Sequence, residues 1–316
     1  MVEKMERSYD AASISPTSAI FINCNTPSTY HTLDKNITLD ASSCVKFNGK
    51  IPDDISLRNM PIQSIISIAR CNINYNCMKC NFADTLDARM RNCVDKPLCV
   101  VQRENNYEGN KIFFKIKEQL MISPFFNDDG SDYVKCLWNI INLSFDFQFV
   151  KNINQMVQTK EDIQFTINIE RLLMNMTFYT TPNCSILPKV CTSEYNDYDV
   201  FTKKLENTQN YDEADIYSDY IYIQTIPSSI YLYAKNEDTI FEISDTIIDL
   251  MGTEFKTESC EKFGNGNIYR FKIGKNIKDE KIIPGLNERT QLNIGMTVKT
   301  IKQILHYSSY FKTNFC

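Results

Sequence analysis

Glycine, alanine and histidine are scarce here, and each shortage excludes something. Nine glycines among 316 residues leave no phosphate-cradling loop, and Gly-x-Gly-x-x-Gly, Walker, Gly-x-Ser-x-Gly and His-Glu-x-x-His motifs are all absent. His31 and His306 are the only imidazoles, so a Cys–His or Ser–His hydrolase would have to use one of them. His306 lies beside an apolar stripe and reads as a packed residue, while His31, between Tyr30 and Thr32, reads as a loop residue. No run of 18 apolar residues exists, so no membrane helix is expected. The opening Met1–Arg7 lacks the apolar stretch of a signal peptide, and an intracellular protein is expected. With net charge −5 and a pI of 5.3, the chain lacks the basic balance of a nucleic-acid binder. These absences point away from an enzyme and toward neither nucleic acid nor membrane as partner.

Cysteine, by contrast, is plentiful. Twelve are spread from Cys24 to Cys316, in a chain expected to meet reducing conditions. The densest group is Cys71, Cys77, Cys80, Cys93 and Cys99. Cys77-Met-Lys-Cys80 has the spacing with which two thiolates grip one zinc ion, and Cys93 with Cys99 is the candidate second pair. That second pair is spaced five residues apart instead of two, and the fifth cysteine is left over. Zinc at Cys77, Cys80, Cys93 and Cys99, local or intermolecular disulfides, and free core thiols all remain open. Cys24, Cys71, Cys260 and Cys316 are the candidates for disulfide or intermolecular contact. Apart from zinc, no cofactor is expected.

Isoleucine (38) far exceeds leucine (17), and asparagine reaches 31, a bias that A/T-rich codons also produce. Tyrosine is concentrated: Tyr195, Tyr198, Tyr211, Tyr217, Tyr220, Tyr222, Tyr231 and Tyr233 share one short acidic region. Tyrosine offers large contact area with a polar tip and suits interfaces, and it also simply favours strands. Tyr195, Tyr198, Tyr211 and Tyr217 are the assembly-interface candidates. The acidic groups Asp53-Asp54, Asp128-Asp129, Asp197-Tyr-Asp199 and Asp212-Glu213 with Asp215 read as solvated loops.

The apolar spacing predicts both helices and strands. Pro61 followed by Ile62, Ile65, Ile66 and Ala69 fits a helix, as do 111–123, a segment capped by Ser131, and the end of the chain from about Met296. Period-two alternation predicts strands at 18–24, at Leu143, Phe145, Phe147 and Phe149, at Ile163 to Ile169, and over 267–273. Strand–turn–strand is expected across 220–234. The expected fold is α+β, mixed helices and antiparallel strands stapled by cysteine, with a predominantly α-helical fold as the alternative. Its divisions are an N-terminal arm (1–15), a cysteine-rich region (16–108), a helix-plus-strand core (109–194), an acidic Tyr-rich segment (195–219) and a C-terminal region (220–316), or all of these in one domain. No internal repeat is visible.

In size, Ile/Asn/Tyr-rich composition, missing export signal and dispersed cysteines, the chain resembles the occlusion-body matrix protein (polyhedrin) of nudiviruses. That resemblance implies a self-assembling structural protein, with itself as partner and virions as cargo. It further implies a crystal lattice held by hydrophobic, ionic and disulfide contacts, in occlusion bodies within the host nucleus or cytoplasm. Alkaline dissolution has a basis in the residues themselves, because thiols and 17 tyrosines ionise above about pH 10 while lysines lose charge. A zinc-stabilised viral accessory or binding protein is the alternative.

Overall fold

The computed structural model describes residues 3–11, 13–25, 32–82, 85–86, 89, 98–104, 109–126, 136–158, 163–180, 195–205, 215–227, 229–236, 239–241, 243–263, 266–273, 287–298 and 305–315. The chain divides into two compact units, Met1–Tyr195 and Asn196–Cys316. Strand dominates both, which corrects the α+β and helical expectations.

In the first unit the elements are β1 (Lys4–Asp10), β2 (Ala19–Asn25), β3 (Thr32–Asp34), β4 (Thr38–Phe47), β5 (Ser56–Leu57), α1 (Pro61–Ser64), β6 (Ile66–Ile73) and β7 (Asn76–Cys80). They continue as β8 (Cys99–Arg103), β9 (Lys111–Gln119), β10 (Cys136–Trp138), β11 (Asn142–Phe149), β12 (Val157–Gln158) and β13 (Phe165–Tyr179). One sheet runs β10-β3-β13-β4-β9-β8 with β1 also on β13; the other runs β2-β11-β6-β7. Alternation explains both. In β4, Leu39, Ala41, Ser43, Val45 and Phe47 are buried, and in β11 Leu143, Phe145, Phe147 and Phe149 are buried, while the residues alternating with them face outward. The inward side chains of both sheets join one apolar core, so the unit is a two-layer sandwich.

The second unit contains β14 (Tyr195–Leu205), β15 (Asp215–Thr225), β16 (Ser229–Asn236), β17 (Thr239–Phe241), β18 (Ile243–Leu250) and β19 (Thr253–Phe255). It closes with β20 (Ser259–Phe263), β21 (Gly266–Lys272), β22 (Asn287–Val298) and β23 (Leu305–Phe315). Its sheets run β14-β23-β16-β21-β20, with β17 on β16, and β15-β22-β18-β19. Ile223, Ile230, Leu232, Ile248, Phe271, Leu292 and Ile294 fill the space between them.

The wiring is the same in both units. Taking β1, β2, β4, β6, β7, β9, β11 and β13 as strands one to eight of the first, one pairs with eight, two with seven, three with six and four with five. Eight also pairs with three, and seven with four. In the second unit β14, β15, β16, β18, β19, β21, β22 and β23 repeat every one of these pairings. Nested pairs of this kind are one long antiparallel hairpin rolled into two sheets, the eight-stranded jelly roll. Each unit turns from its fourth to its fifth strand through two residues. Asn74 takes φ 54° in the Asn74–Tyr75 turn; Met251 and Gly252 take φ 56° and 76° in the other. Positive φ at both central residues of the second turn, and at the first central residue of the first, matches the twist of a tight hairpin.

The helix expectations fail for a common reason. In 111–123, Ile112, Phe113, Ile116 and Leu120 fit a helical stripe, but Ile112, Phe114 and Ile116 also fit a strand, and the strand is what forms. The β-branched and aromatic residues that dominate it lose rotamer freedom in a helix and pack well on a pleated surface. Pro61 does open a helix, but only one turn long, because Ile65, Ile66 and Ile68 lead directly into β6. Residues 131–135 lie outside the described residues, and Cys136–Trp138 is a strand. The C-terminal helix is replaced by β22 and β23. Segment 195–219 supplies β14 and the start of β15. The N-terminal arm contributes β1, paired along its whole length with β13. The strands expected near 220–226 and 230–234 exist, but β15 and β16 belong to different sheets, so Pro227 lies at a crossing between layers and not in a hairpin.

Candidate functional site

Among the described residues, those singled out for chemistry form no common cluster. His31 lies outside the described residues, and His306 stands in β23 opposite Lys235. Asp53 and Asp54 are exposed in a turn; Asp197 and Asp199 fall in β14, Asp215 opens β15, and Asp128, Asp129, Asp212 and Glu213 are outside the described residues. Cys77 and Cys80 share β7 three positions apart, which sends their side chains to opposite faces: Cys77 is exposed and Cys80 is buried beside Thr85. The knuckle spacing presumes a turn, and a strand undoes it. Cys93 is outside the described residues, and Cys99 sits in the other sheet, opposite Glu118. Among the described residues no three His, Cys, Asp or Glu side chains form a metal-holding group.

Cys24, Cys71, Cys77, Cys99 and Cys260 are free thiols. Cys24 and Cys71 are core side chains, Cys260 is exposed, and Cys316 lies outside the described residues. Burial pushes the Cys24 and Cys99 thiols up to about 12 and Cys71 well above its ordinary value. A thiol held neutral is a poor nucleophile and a poor metal ligand, so these three act as small apolar fillers.

One buried polar cluster escapes the motif search. Glu118 occupies a buried position of β9, in phase with Ile112, Phe114 and Ile116. Its carboxyl accepts from the backbone N–H of Ile62 at 2.6 Å and of Gln63 at 3.0 Å, and from Gln63 Nε2 at 3.1 Å. Gln63 Nε2 also donates to the Gln119 carbonyl at 2.8 Å, and Gln63 Oε1 accepts from the Met121 N–H at 2.8 Å. Buried Arg89 donates to the Met121 carbonyl at 3.1 Å and to Thr85 Oγ1 at 3.3 Å. Pro61 has no N–H, so Glu118 satisfies the next two donors of α1. Burial raises the Glu118 carboxyl to about 7, while those three donors pull it down. The cluster clamps α1 onto β9.

On the outside, exposed aromatic residues lie on strand two of each unit, an edge of its four-stranded sheet. Phe21 in β2 is 66% exposed; Tyr220 and Tyr222 in β15 are 54% and 52% exposed. The two tyrosine rings meet edge to face at 5.7 Å, and the Arg289 guanidinium lies 5.1 Å over Tyr222. Tyr195, Tyr198 and Tyr217 belong to β14 and β15, whereas Tyr211 lies outside the described residues. The seven-stranded sheet of the first unit carries an open groove between Asp40, Ser42, Lys115, Lys117 and Arg171. Its charges are partly engaged, Lys115 with Glu104 at 2.6 Å and Arg171 with Asp10 at 3.1 Å. Flat faces of this kind suit contact with another macromolecule better than enclosure of a small substrate.

No family model and no curated protein matches the chain. Solved structures do match in fold. A chain of the Sputnik virophage, solved by cryo-EM, has a TM-score of 0.73 at 14% identity, over 98% of this chain and 85% of that one. The mavirus major capsid protein gives 0.66 at 12% identity, over 97% and 86%. A chain of the PBCV-1 virus capsid gives 0.57 at 9% identity, over 99% and 93%. The likeness spans both units and is one of fold. It overturns the resemblance to polyhedrin, since the matching structures are viral jelly-roll capsid proteins.

Proposed function

We propose that this protein is a self-assembling viral structural protein of the capsid-shell kind. The observation that carries the reading is the tandem of two jelly rolls, matched over 98% of the chain in the virophage structure. Three features agree with it. Among the described residues no His, Cys, Asp and Glu side chains form a metal-holding group, the thiols of Cys24 and Cys71 are buried and held neutral, and both units expose aromatics on outward sheet faces. The role is structural, no cofactor is needed, and the principal partner is another copy of the chain. A shell protein is part of the virion, so virions as cargo, the occlusion matrix and its alkaline dissolution give way to this reading. Assembly takes place inside the host cell.

Size measurement on purified full-length chain tests this. Mass photometry and negative-stain microscopy should find discrete oligomers that build larger closed particles as concentration rises. A chain that stays monomeric across all concentrations and salt conditions would contradict the proposal.

A further inference from the structure

The two most exposed large apolar side chains among the described residues stand at one end of the first unit. Tyr75 is 96% exposed in the turn from β6 to β7, and Ile141 is 73% exposed just before β11. A single asparagine ties the two segments together. Asn74 Oδ1 accepts from the Ile141 N–H at 2.8 Å and the Asn142 N–H at 3.2 Å, and Asn74 Nδ2 donates to the Asn139 carbonyl at 3.1 Å. The Asn74 N–H also donates to the Asn142 carbonyl at 2.8 Å. Asn74 and Asn139 both take positive φ, 54° and 59°, a conformation asparagine tolerates better than most residues. The tip is held in shape, so Tyr75 and Ile141 can make a contact at little further ordering cost.

Charge is missing around this tip. Three rungs of the four-stranded sheet separate the turn from the first charged rung, where Arg70 stands between Lys79 and Asp146. At about 3.4 Å per residue, roughly 10 Å of sheet end carries no charge. In the other sheet Trp138 pairs with Thr32, and Asp34, two residues along, already accepts from the Asn36 N–H at 2.9 Å and the Tyr179 hydroxyl at 3.2 Å. The corresponding turn of the second unit differs. Met251 is 50% exposed there, but a single rung separates the turn from Asp249 and Glu254.

We propose that this tip of the first unit docks on the surface of a zwitterionic lipid bilayer, with Tyr75 and Ile141 entering the headgroup layer. Tyrosine suits that layer because its ring is apolar and its hydroxyl polar, and the aliphatic neighbour adds apolar area to bury. The uncharged depth of the tip matches the roughly 5–10 Å to which surface-bound elements enter a bilayer. A folded protein partner fits less well. Two projecting side chains offer far less than the ~800 Å² per partner of a standard interface, whereas a bilayer moulds itself to a small spike. With no lysine or arginine within the three rungs, anionic lipid brings no gain. A contact of this kind needs no spanning segment, and no helix among the described residues is long and apolar enough to be one. The expectation that set membranes aside rested on that missing segment and does not reach a loop tip.

Vesicle flotation of the full-length chain tests the contact, with Trp138, the single tryptophan of the chain, as a reporter three residues from Ile141. Phosphatidylcholine vesicles should carry wild type upward, and vesicles with brominated acyl chains should quench Trp138. Tyr75→Ser combined with Ile141→Ser should lower the partition at least about tenfold. Phe21→Ser removes an exposed aromatic at the charged rung and should stay within about twofold of wild type. Circular dichroism checks the fold of each variant, and the wild-type quenching needs no variant at all. Wild type that stays at the bottom of the gradient at millimolar lipid overturns the proposal. So does equal flotation of the folded double variant, and so does binding that appears only with anionic vesicles. Wild type that ignores vesicles but loses self-association in the double variant also overturns it, and assigns the tip to another copy of the chain.

Discussion

The two units thread eight strands along the same path with almost nothing in common along it. The turn from strand four to strand five rests on Asn74 in one and on Met251-Gly252 in the other. Opposite the second residue of strand three, the first unit places Glu118 against Leu39, and the second places Phe271 against Ile230. One interior position thus holds a hydrogen-bonded carboxyl in one unit and a phenyl ring in the other. The difference teaches what the path requires. Alternation along each strand and a tight central turn are shared, whereas the chemistry at a single inward site varies, and a carboxyl is accommodated at Glu118 because three donors meet it.

Ring deletion should do the most damage and do it in both units alike. Phe145 is fully buried and packs 5.7 Å from Phe125 and 6.0 Å from Phe147, while Phe271 is fully buried in the second core. Phe145→Ala and Phe271→Ala should each cost about 3–5 kcal/mol in denaturant unfolding. A loss under about 1 kcal/mol at either site would break the symmetry between the cores.

Glu118 is where the units should part. Glu118→Ala orphans the N–H groups of Ile62 and Gln63 and should cost about 3 kcal/mol at neutral pH. The pH effect has a definite sign. The folded carboxyl titrates at about 7 and the unfolded one near 4.5, so between those values the folded state binds the extra proton. Its contribution is fully present below 4.5 and is lost as pH rises through 7, at up to about 1.4 kcal/mol per pH unit. Chemical denaturation of wild type at pH 5 and pH 8 should show that fall, and Glu118→Gln should flatten it. An equal slope in both proteins would remove the buried carboxyl from the account.

Turn substitutions probe the shared hairpin more gently. Gly252→Val at φ 76° and Asn74→Val at φ 54° should each cost about 1–2 kcal/mol, because β-branched residues resist the left-handed region. Smallest of all is the surface ion pair. Arg70 and Asp146 are partly solvated, and Arg70→Ala should change stability by about 0.5 kcal/mol or less in the same denaturant measurement.

Much of the strand content was legible. The alternation at Leu143, Phe145, Phe147 and Phe149, at Ile167 and Ile169, and at 18–24 and 267–273 corresponds to β11, β13, β2 and β21. Adjacent apolar pairs such as Phe113-Phe114 satisfy helical and strand periods together, and there a helix was expected where a strand forms. The excess of Ile over Leu was the compositional hint that strands should win, although codon bias offers a competing cause. The repeat was hidden because strands one and eight of each unit meet across more than a hundred residues, and the units share pairings instead of side chains. Glu118 looks like a surface residue in Lys115-Ile-Lys-Glu, yet once 111–119 is a strand it falls in phase with Ile112, Phe114 and Ile116. Cys77-Met-Lys-Cys80 suggested a metal knuckle only while it was taken for a turn.

Cryo-EM of the purified full-length chain tests the central claim most directly. The account predicts closed oligomers in which every chain contributes two jelly-roll lobes of identical strand wiring. Single chains that never associate, or a density with only one such lobe per chain, would contradict it.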